Sequence, residues 1–327
     1  MNILVTGGAG FIGANFIHYL LKQDRSDHVI NFDALTYAGN LNNLDDIKAD
    51  PHYQFVEGDI ADRSAVEAVF DGFNINAVVN FAAESHVDRS ILNPAAFIHS
   101  NFDGVGVLLA AAKKFNVDKF VQISTDEVYG SSLPHQQFSE SAPLNPSSPY
   151  SATKASADLL ALSYFKTYNL NVSITRSANN YGPYQFPEKL IPLMVTHGLQ
   201  EESLPIYGNG QNSRDWLHVQ DNCAAIAAVL KRGRAGEVYN IAAHQYKTNN
   251  EIVEGIIRQL QLPESRIEYV RDRPANDQLY SINDDKIRNE LGWRPRIEFD
   301  VGMNETIAWY VDHETWWRPL LRQVKNR

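Results

Sequence analysis

Ile3-Leu4-Val5-Thr6-Gly7-Gly8-Ala9-Gly10-Phe11-Ile12-Gly13 begins as a short apolar run, breaks into glycines and ends on a helical pattern. A strand that turns through glycines straight into a helix lets backbone N–H groups at the helix N-terminus approach a pyrophosphate. The spacing is Gly7-x-x-Gly10-x-x-Gly13, a variant of the stricter dinucleotide fingerprint with the same mechanics. The next β-branched run ends in Asp33, twenty residues after Gly13. A carboxylate there suits the hydroxyls of an adenosine ribose and repels a 2′-phosphate, so the expected cofactor is NAD and not NADP. Asp59, after the third run, is placed to meet the adenine.

Outward from this loop, short strand-like runs alternate with longer helical ones. Ile3–Thr6, Val29–Phe32, Gln54–Glu57, Ala77–Phe81, Lys119–Ser124 and Val172–Arg176 read as strands. Phe11–Gln23, Arg63–Phe70 and Gly104–Phe115 read as helices between them. Such alternation predicts a Rossmann-type, doubly wound parallel sheet of the α/β class. Beyond residue 178 the character changes. Ser177–Leu190 and Leu204–Arg214 have loop compositions, and further helices are expected over Asn249–Gln261, Asp284–Leu291 and Met303–His313. The expected organisation is an NAD-binding domain from 1–178 and 215–245. A smaller interleaved C-terminal lobe takes 179–214 and 246–327, with the site in the cleft between them.

Composition narrows the class. The chain has 327 residues, 44% hydrophobic and 21% charged, with a net charge of −10. That balance fits a globular protein and argues against general affinity for nucleic acid or anionic membrane. The single cysteine, Cys223, lies in an apolar stretch, which excludes a disulfide framework and a cysteine metal site. No cluster has metal-ligand spacing. Nothing at the start reads as a signal peptide, and no window reaches the ~18 uninterrupted apolar residues of a membrane span. A cytoplasmic protein is expected.

Two further patches carry chemistry. Ser124-Thr125-Asp126-Glu127 sets hydroxyls and two carboxylates at the end of a strand. Tyr150 and Lys154 stand four apart, on one face of a helix. A cation beneath the phenol is expected to lower its pKa and make Tyr150 a base. Asp126, beside a second carboxylate, is expected to have a raised pKa and to act as an acid.

With the glycine loop and Tyr150-x-x-x-Lys154 together, the chain resembles the extended short-chain dehydrogenase/reductase superfamily. Phe81–Ser90, Ser124–Gly130 and Asn179–Pro192 narrow the resemblance to the dTDP-glucose 4,6-dehydratase family, and it runs nearly end to end. It implies formation of a 4-keto-6-deoxy sugar nucleotide and water. Oxidation at C4 by NAD makes the C5 proton acidic, water leaves across C5 and C6, and hydride returns to C6. It assigns the C4 proton to Tyr150, a hydrogen bond on the C4 oxygen to Thr125, the C5 proton to Glu127 and the C6 hydroxyl to Asp126, with Lys154 beside Tyr150. It implies cofactor contacts from Gly7, Gly10, Phe11, Ile12, Gly13, Asp33, Asp59, Ile60, Ala82, Ala83, Tyr150 and Lys154. Substrate contacts are implied for Ser85, Thr125, Asn180, Glu188, Lys189, Leu190, Tyr207, Arg214, Asn249, Arg273 and Asn276. A homodimer through Gly104–Phe115 and Ala152–Tyr168 is also implied. His86 and His218 are expected to be structural.

One segment departs from the family pattern. Asn276 stands where thymidine-type dehydratases have histidine, and Leu279 where they have a second arginine. The catalytic positions are intact, so dTDP-glucose is the leading substrate. UDP-glucose or another UDP-hexose is the alternative. A 4-epimerase is the nearest rival chemistry, but has no use for a C6 acid.

Overall fold

The computed structural model describes residues 1–272 and 276–325. In chain order it begins β1 (Asn2–Thr6), α1 (Phe11–Gln23), β2 (His28–Asp33), β3 (Tyr53–Glu57), α2 (Arg63–Phe73) and β4 (Ala77–Asn80). Then come α3 (Val87–Leu92), α4 (Pro94–Ile98), α5 (Val105–Lys114), β5 (Lys119–Thr125), α6 (Pro149–Tyr168) and β6 (Val172–Ser177). β7 (Asn179–Tyr181), α7 (Leu190–Leu199), β8 (Leu204–Tyr207), β9 (Ser213–His218), α8 (Val219–Arg232) and β10 (Glu237–Ile241) follow. The chain continues through β11 (Tyr246–Thr248), α9 (Asn249–Leu260), β12 (Ile267–Val270), α10 (Asp285–Leu291), α11 (Phe299–Asp312) and α12 (Glu314–Lys325).

Seven strands form one sheet in the order β10-β6-β5-β4-β1-β2-β3, every pair parallel. This is the doubly wound α/β fold expected from the alternating pattern. Its central strands are buried on both faces, which explains why they read as continuous apolar runs. One apolar cluster joins α1, α8 and α10 to one face of the sheet, through Phe16, Ile17, Ile226 and Leu291. A second joins α2, α5 and α6 to the other, through Phe70, Leu108 and Ala157. Strand order reverses between β1 and β4, and ligands bind open α/β sheets at the carboxyl ends of strands at such a switch point.

The remaining strands make two small sheets, β11-β9-β7 and β12-β8. They share an apolar cluster with α7, α9 and α11, including Met194, Ile256, Tyr310 and Trp317. Two elements lie elsewhere than the expected boundaries place them. β9, assigned from residue 215 to the NAD-binding part, pairs with β7 and β11 in the small sheet. α10, assigned to the lobe, packs its Ile287 and Leu291 into the large-sheet core. β7 and β8 form within segments that read as loops, because strands of three and four residues leave too little periodicity to detect.

The helical run Pro94–Lys114 is 21 residues long with a mean hydropathy of 1.3, enough by length and composition to cross a membrane. Its Phe97, Val105, Leu108 and Leu109 are instead buried within the fold.

Candidate active site

A buried polar ladder crosses three adjacent strands, β1, β4 and β5. Asn80 on β4 donates to Gln122 Oε1 at 2.8 Å, and the Thr6 hydroxyl donates to Asn80 Oδ1. All three side chains are fully buried, so the ladder satisfies polar groups that would otherwise be costly. Thr6 and Asn80 are the last residues of β1 and β4, so the ladder ties together the ends from which the loops after those two strands leave the sheet.

The loop after β1 requires its glycines. Gly7 has a φ of +67°, and a Cβ there would lie 2.6 Å from the Ala82 nitrogen. A Cβ on Gly13 would lie 2.3 Å from the Gly7 carbonyl oxygen. No side chain caps α1 at Gly10, so the helix N-terminus faces the cleft with unshielded donors. Asp33 accepts from the backbone N–H of Ala9 at 2.9 Å and of Leu35 at 2.8 Å. Its carboxylate both ties the glycine loop to β2 and lines the cleft, where burial pushes its pKa up. Asp59 accepts from the Ala61 N–H and pairs with His99 at 2.9 Å, so it forms a turn and lines the cleft at once. Gly7, Gly10, Phe11, Ile12, Gly13, Asp33, Asp59, Ile60, Ala82, Ala83, Tyr150 and Lys154 all line one cavity. A strained glycine turn, an open helix end and a carboxylate at the second strand are what NAD needs, and the residues fit it.

Thr125 ends β5 and caps the short 3₁₀ turn Asp126–Tyr129, accepting from the Glu127 N–H at 3.2 Å. The turn swings both acids into the cleft. Gly130 closes it at φ +80°, where a Cβ would meet the Asn145 carbonyl oxygen. Across the cleft, Ser148 and Ser151 form a capping box and Pro149 starts α6. That sets Tyr150 in the first turn, where it lines the cavity together with Thr125.

Burial, with Glu127 and then Asp215 nearby, raises the Asp126 pKa well above the carboxylate range, as expected. Its Oδ2 is buried without a hydrogen-bond partner, as are Ser124 Oγ and Asn180 Oδ1, and all three residues line the cavity. Three orphaned polar atoms around one cleft are costly unless a ligand or water meets them. Tyr150 corrects an expectation. Burial, Glu127 and Asp126 push its phenol well above the ordinary value. Lys154, lowered to about 8 by its own burial, donates to the Ile123 carbonyl at 2.6 Å. The i, i+4 spacing puts the ammonium on the right face, but the strand carbonyl accepts its hydrogen bond.

A second cavity adjoins the first, and Ser85, Glu127, Glu188 and Lys189 line both. Leu190, Tyr207, Arg214, Asn249 and Asn276 line the second alone. Thr125 and Asn180 line the first. Arg273 lies outside the described residues. The buried Arg214 guanidinium sits 4.4 Å over the Tyr280 ring and donates to the carbonyls of Ser213 and Asp277, both at 2.8 Å. Asn276 bridges it to Asp272, accepting from Arg214 at 3.4 Å and donating to Asp272 at 2.8 Å. Leu279 lines neither cavity; its carbonyl accepts from the Ser132 N–H.

The two histidines differ in place: His218 lines neither cavity, whereas His86 lines the second. His218 accepts the Gln220 N–H and caps α8. His86 sits 3.8 Å from Glu188, its pKa lowered to about 4 chiefly by burial. Tyr37 and Glu84 also line both cavities, and sequence reasoning missed them. Tyr37 lies four residues beyond Asp33 on the loop leaving β2, a position that was available as a signal; its ring carries the Arg89 guanidinium at 4.0 Å. Glu84 follows Ala82-Ala83 directly and had no spacing signature of its own.

The family described as GDP-mannose 4,6 dehydratase matches residues 4–306. The chain belongs to that family. Its curated relatives include the dTDP-glucose 4,6-dehydratase of Streptomyces niveus, 48% identical over 98% of this chain and 96% of the other. Among solved structures, the dTDP-glucose 4,6-dehydratase of Bacillus anthracis, in complex with NAD, superposes with a TM-score of 0.92. It is 52% identical, over 98% of this chain and 99% of that one. The dTDP-glucose 4,6-dehydratase of Streptomyces venezuelae, with NAD and TYD bound, gives a TM-score of 0.95. It is 47% identical, over 98% of this chain and all of that one.

Proposed function

We propose that this protein is an NAD-dependent dTDP-glucose 4,6-dehydratase, a hydro-lyase forming dTDP-4-keto-6-deoxyglucose and water. The observation that carries the reading is Asp126: a buried carboxyl with a raised pKa and an unpaired oxygen, beside Glu127 and near Tyr150. A 4-epimerase needs no such acid, because it breaks no C6–oxygen bond.

Held by the glycine loop, Asp33 and Lys154, NAD would supply the acceptor for the C4 hydride and its donor to C6. The chain's own groups handle the protons. Tyr150 takes the C4 hydroxyl proton, and Thr125 hydrogen-bonds the C4 oxygen. Once C4 is a ketone, Glu127 removes the C5 proton, and it returns a proton to C5 as hydride reaches C6. Asp126 holds its proton until the C6 hydroxyl leaves and then donates it, forming water. Two adjacent carboxyls serve as base and acid because burial sets them apart. Because its phenol is raised, Tyr150 would have to give up its own proton first, and the positive charge of a bound oxidised cofactor would favour that. Arg214 and Asn249, with Lys189 at the seam, face the nucleoside diphosphate. Ser85, Asn180 and Glu188 face the hexose, and Tyr207 the base.

A cytoplasmic homodimer completes the proposal. Cys223 is buried and free, as suits a reducing compartment. Leu159 and Tyr168 stand exposed on α6, as does Phe102 just before α5, which leaves apolar surface for a second copy. Light scattering of the purified protein reads the dimer directly.

Purified protein is incubated with dTDP-glucose and, separately, UDP-glucose, with no NAD added. Alkali-induced absorbance of the keto product is followed, and loss of water is confirmed by mass. Turnover that favours dTDP-glucose is the expected result. A preference for UDP-glucose would reassign the substrate to the alternative and locate the change at Asn276. No water loss even with NAD added would overturn the reading.

A further inference from the structure

Trp316 lies near the end of the chain and lines neither cavity, yet it reaches the glycine loop through one side chain. Its indole N–H donates to Asn43 Oδ1 at 2.8 Å. Asn43, buried in the short turn Leu41–Leu44, donates through its amide to the Ala9 carbonyl at 2.9 Å. The same carbonyl accepts the Asn40 N–H at 2.9 Å, while the Ala9 N–H is held by Asp33. Ala9 stands between Gly8 and Gly10, so both of its peptide groups are pinned from outside the loop. The indole packs among Trp309, ring centroids 5.0 Å apart, Tyr184 at 6.1 Å and Tyr310 at 6.3 Å, so no single ring holds it. Between Asp33 and Asn40 runs the stretch that covers the cleft through Thr36, Tyr37 and Gly39.

We propose that Trp316 is a positioning residue for cofactor retention: through Asn43 it locks the glycine loop and the covering stretch closed over NAD. This rests on the reading that the first cavity holds NAD. The chemistry gives the lock a purpose. The hydride removed from C4 returns to C6, so each cycle ends with the cofactor oxidised as it began. Release between cycles serves nothing, and a latch that slows it costs no turnover.

Trp316→Phe removes the N–H donor and keeps an aromatic ring. Asn43→Asp keeps an acceptor for the indole and removes the amide donor to Ala9. Trp309→Phe trims the same aromatic cluster without touching the hydrogen-bond chain. NAD retained through gel filtration and its release rate into excess apoprotein are measured for each, with thermal midpoints alongside. Trp316→Phe and Asn43→Asp should each release NAD about 3- to 10-fold faster than wild type, the loss of one buried hydrogen bond. Trp309→Phe should lower the midpoint and leave release unchanged. Added NAD should restore the turnover of Trp316→Phe. Unchanged release in Trp316→Phe, or equal acceleration in Trp309→Phe, would overturn the lock and leave the cofactor assignment standing. Wild-type protein that retains no NAD would overturn both.

Discussion

At the scale of single residues, the proposed roles of the two acids on the turn after β5 can be separated. Asp126→Asn should cut dehydration by about 10²- to 10⁴-fold, the usual contribution of a general acid. Oxidation at C4 should continue, so reduced cofactor accumulates on the protein and its near-ultraviolet absorbance persists. Tyr150→Phe should stop the reaction one step earlier, with no such absorbance. The same Asp126 carries a stability cost. Its pKa in the fold is raised above the unfolded value of about 3.9, so the folded state binds that proton more tightly. Stability from this group is therefore present below about pH 4 and is lost as pH rises through the folded pKa. Asp126→Asn should raise the thermal midpoint at neutral pH while it abolishes turnover, measured by calorimetry on both proteins. A lower midpoint would mean that the charged form is paid for by contacts yet to be recognised.

At the scale of elements, α6 must deliver Tyr150 accurately, and a buried network does this. Arg176 on β6 donates to Asp158 on α6 at 2.8 Å and to the Tyr129 hydroxyl at 2.8 Å, and Tyr129 donates to Asn240 on β10. Arg176 and Asp158 are almost wholly buried. Removing one partner of such a pair strands the other charge, so Arg176→Met should destabilise by about 3–5 kcal/mol in denaturant unfolding. Arg176→Met with Asp158→Leu should recover much of that. The glycine loop, Tyr150 with Lys154 and the Thr125–Glu127 turn were legible because fixed spacing on a strand end or helix face carries them. Tyr37 and Glu84 were not, because folding of the loops, not spacing, brings them to the cleft. The Lys154 contact was misjudged for a related reason: spacing specifies a face, whereas the acceptor at Ile123 belongs to another element. β7 escaped notice because three residues gain their strand character only from pairing with β9.

At the scale of the whole molecule, the seven-stranded sheet supplies the cofactor side of the cleft and the small sheets supply the other. A nucleoside diphosphate that touches both should hold them together. At 100 times its dissociation constant it should add about 2.7 kcal/mol to unfolding. Thymidine diphosphate should raise the thermal midpoint more than uridine diphosphate at equal concentration. Arg214→Ala should remove most of either shift. Equal shifts with and without Arg214 would place the diphosphate elsewhere.

The way the chain is shared between these sheets has a further consequence. After β6 it leaves the large sheet for β7, returns through α8 and β10, leaves again at β11 and comes back once more for α10. No single cut therefore yields two self-sufficient halves. A fragment ending at residue 178 would lack β10, leaving the fully buried β6 as a bare edge beside β5. Such edges recruit other strands. Tyr150 lies upstream of that cut, and Asn240, which accepts from Tyr129 on the neighbouring turn, lies downstream. During synthesis the site cannot be finished piece by piece, because residues from both sides of that cut line it and β6 gains its outer partner only when β10 is made.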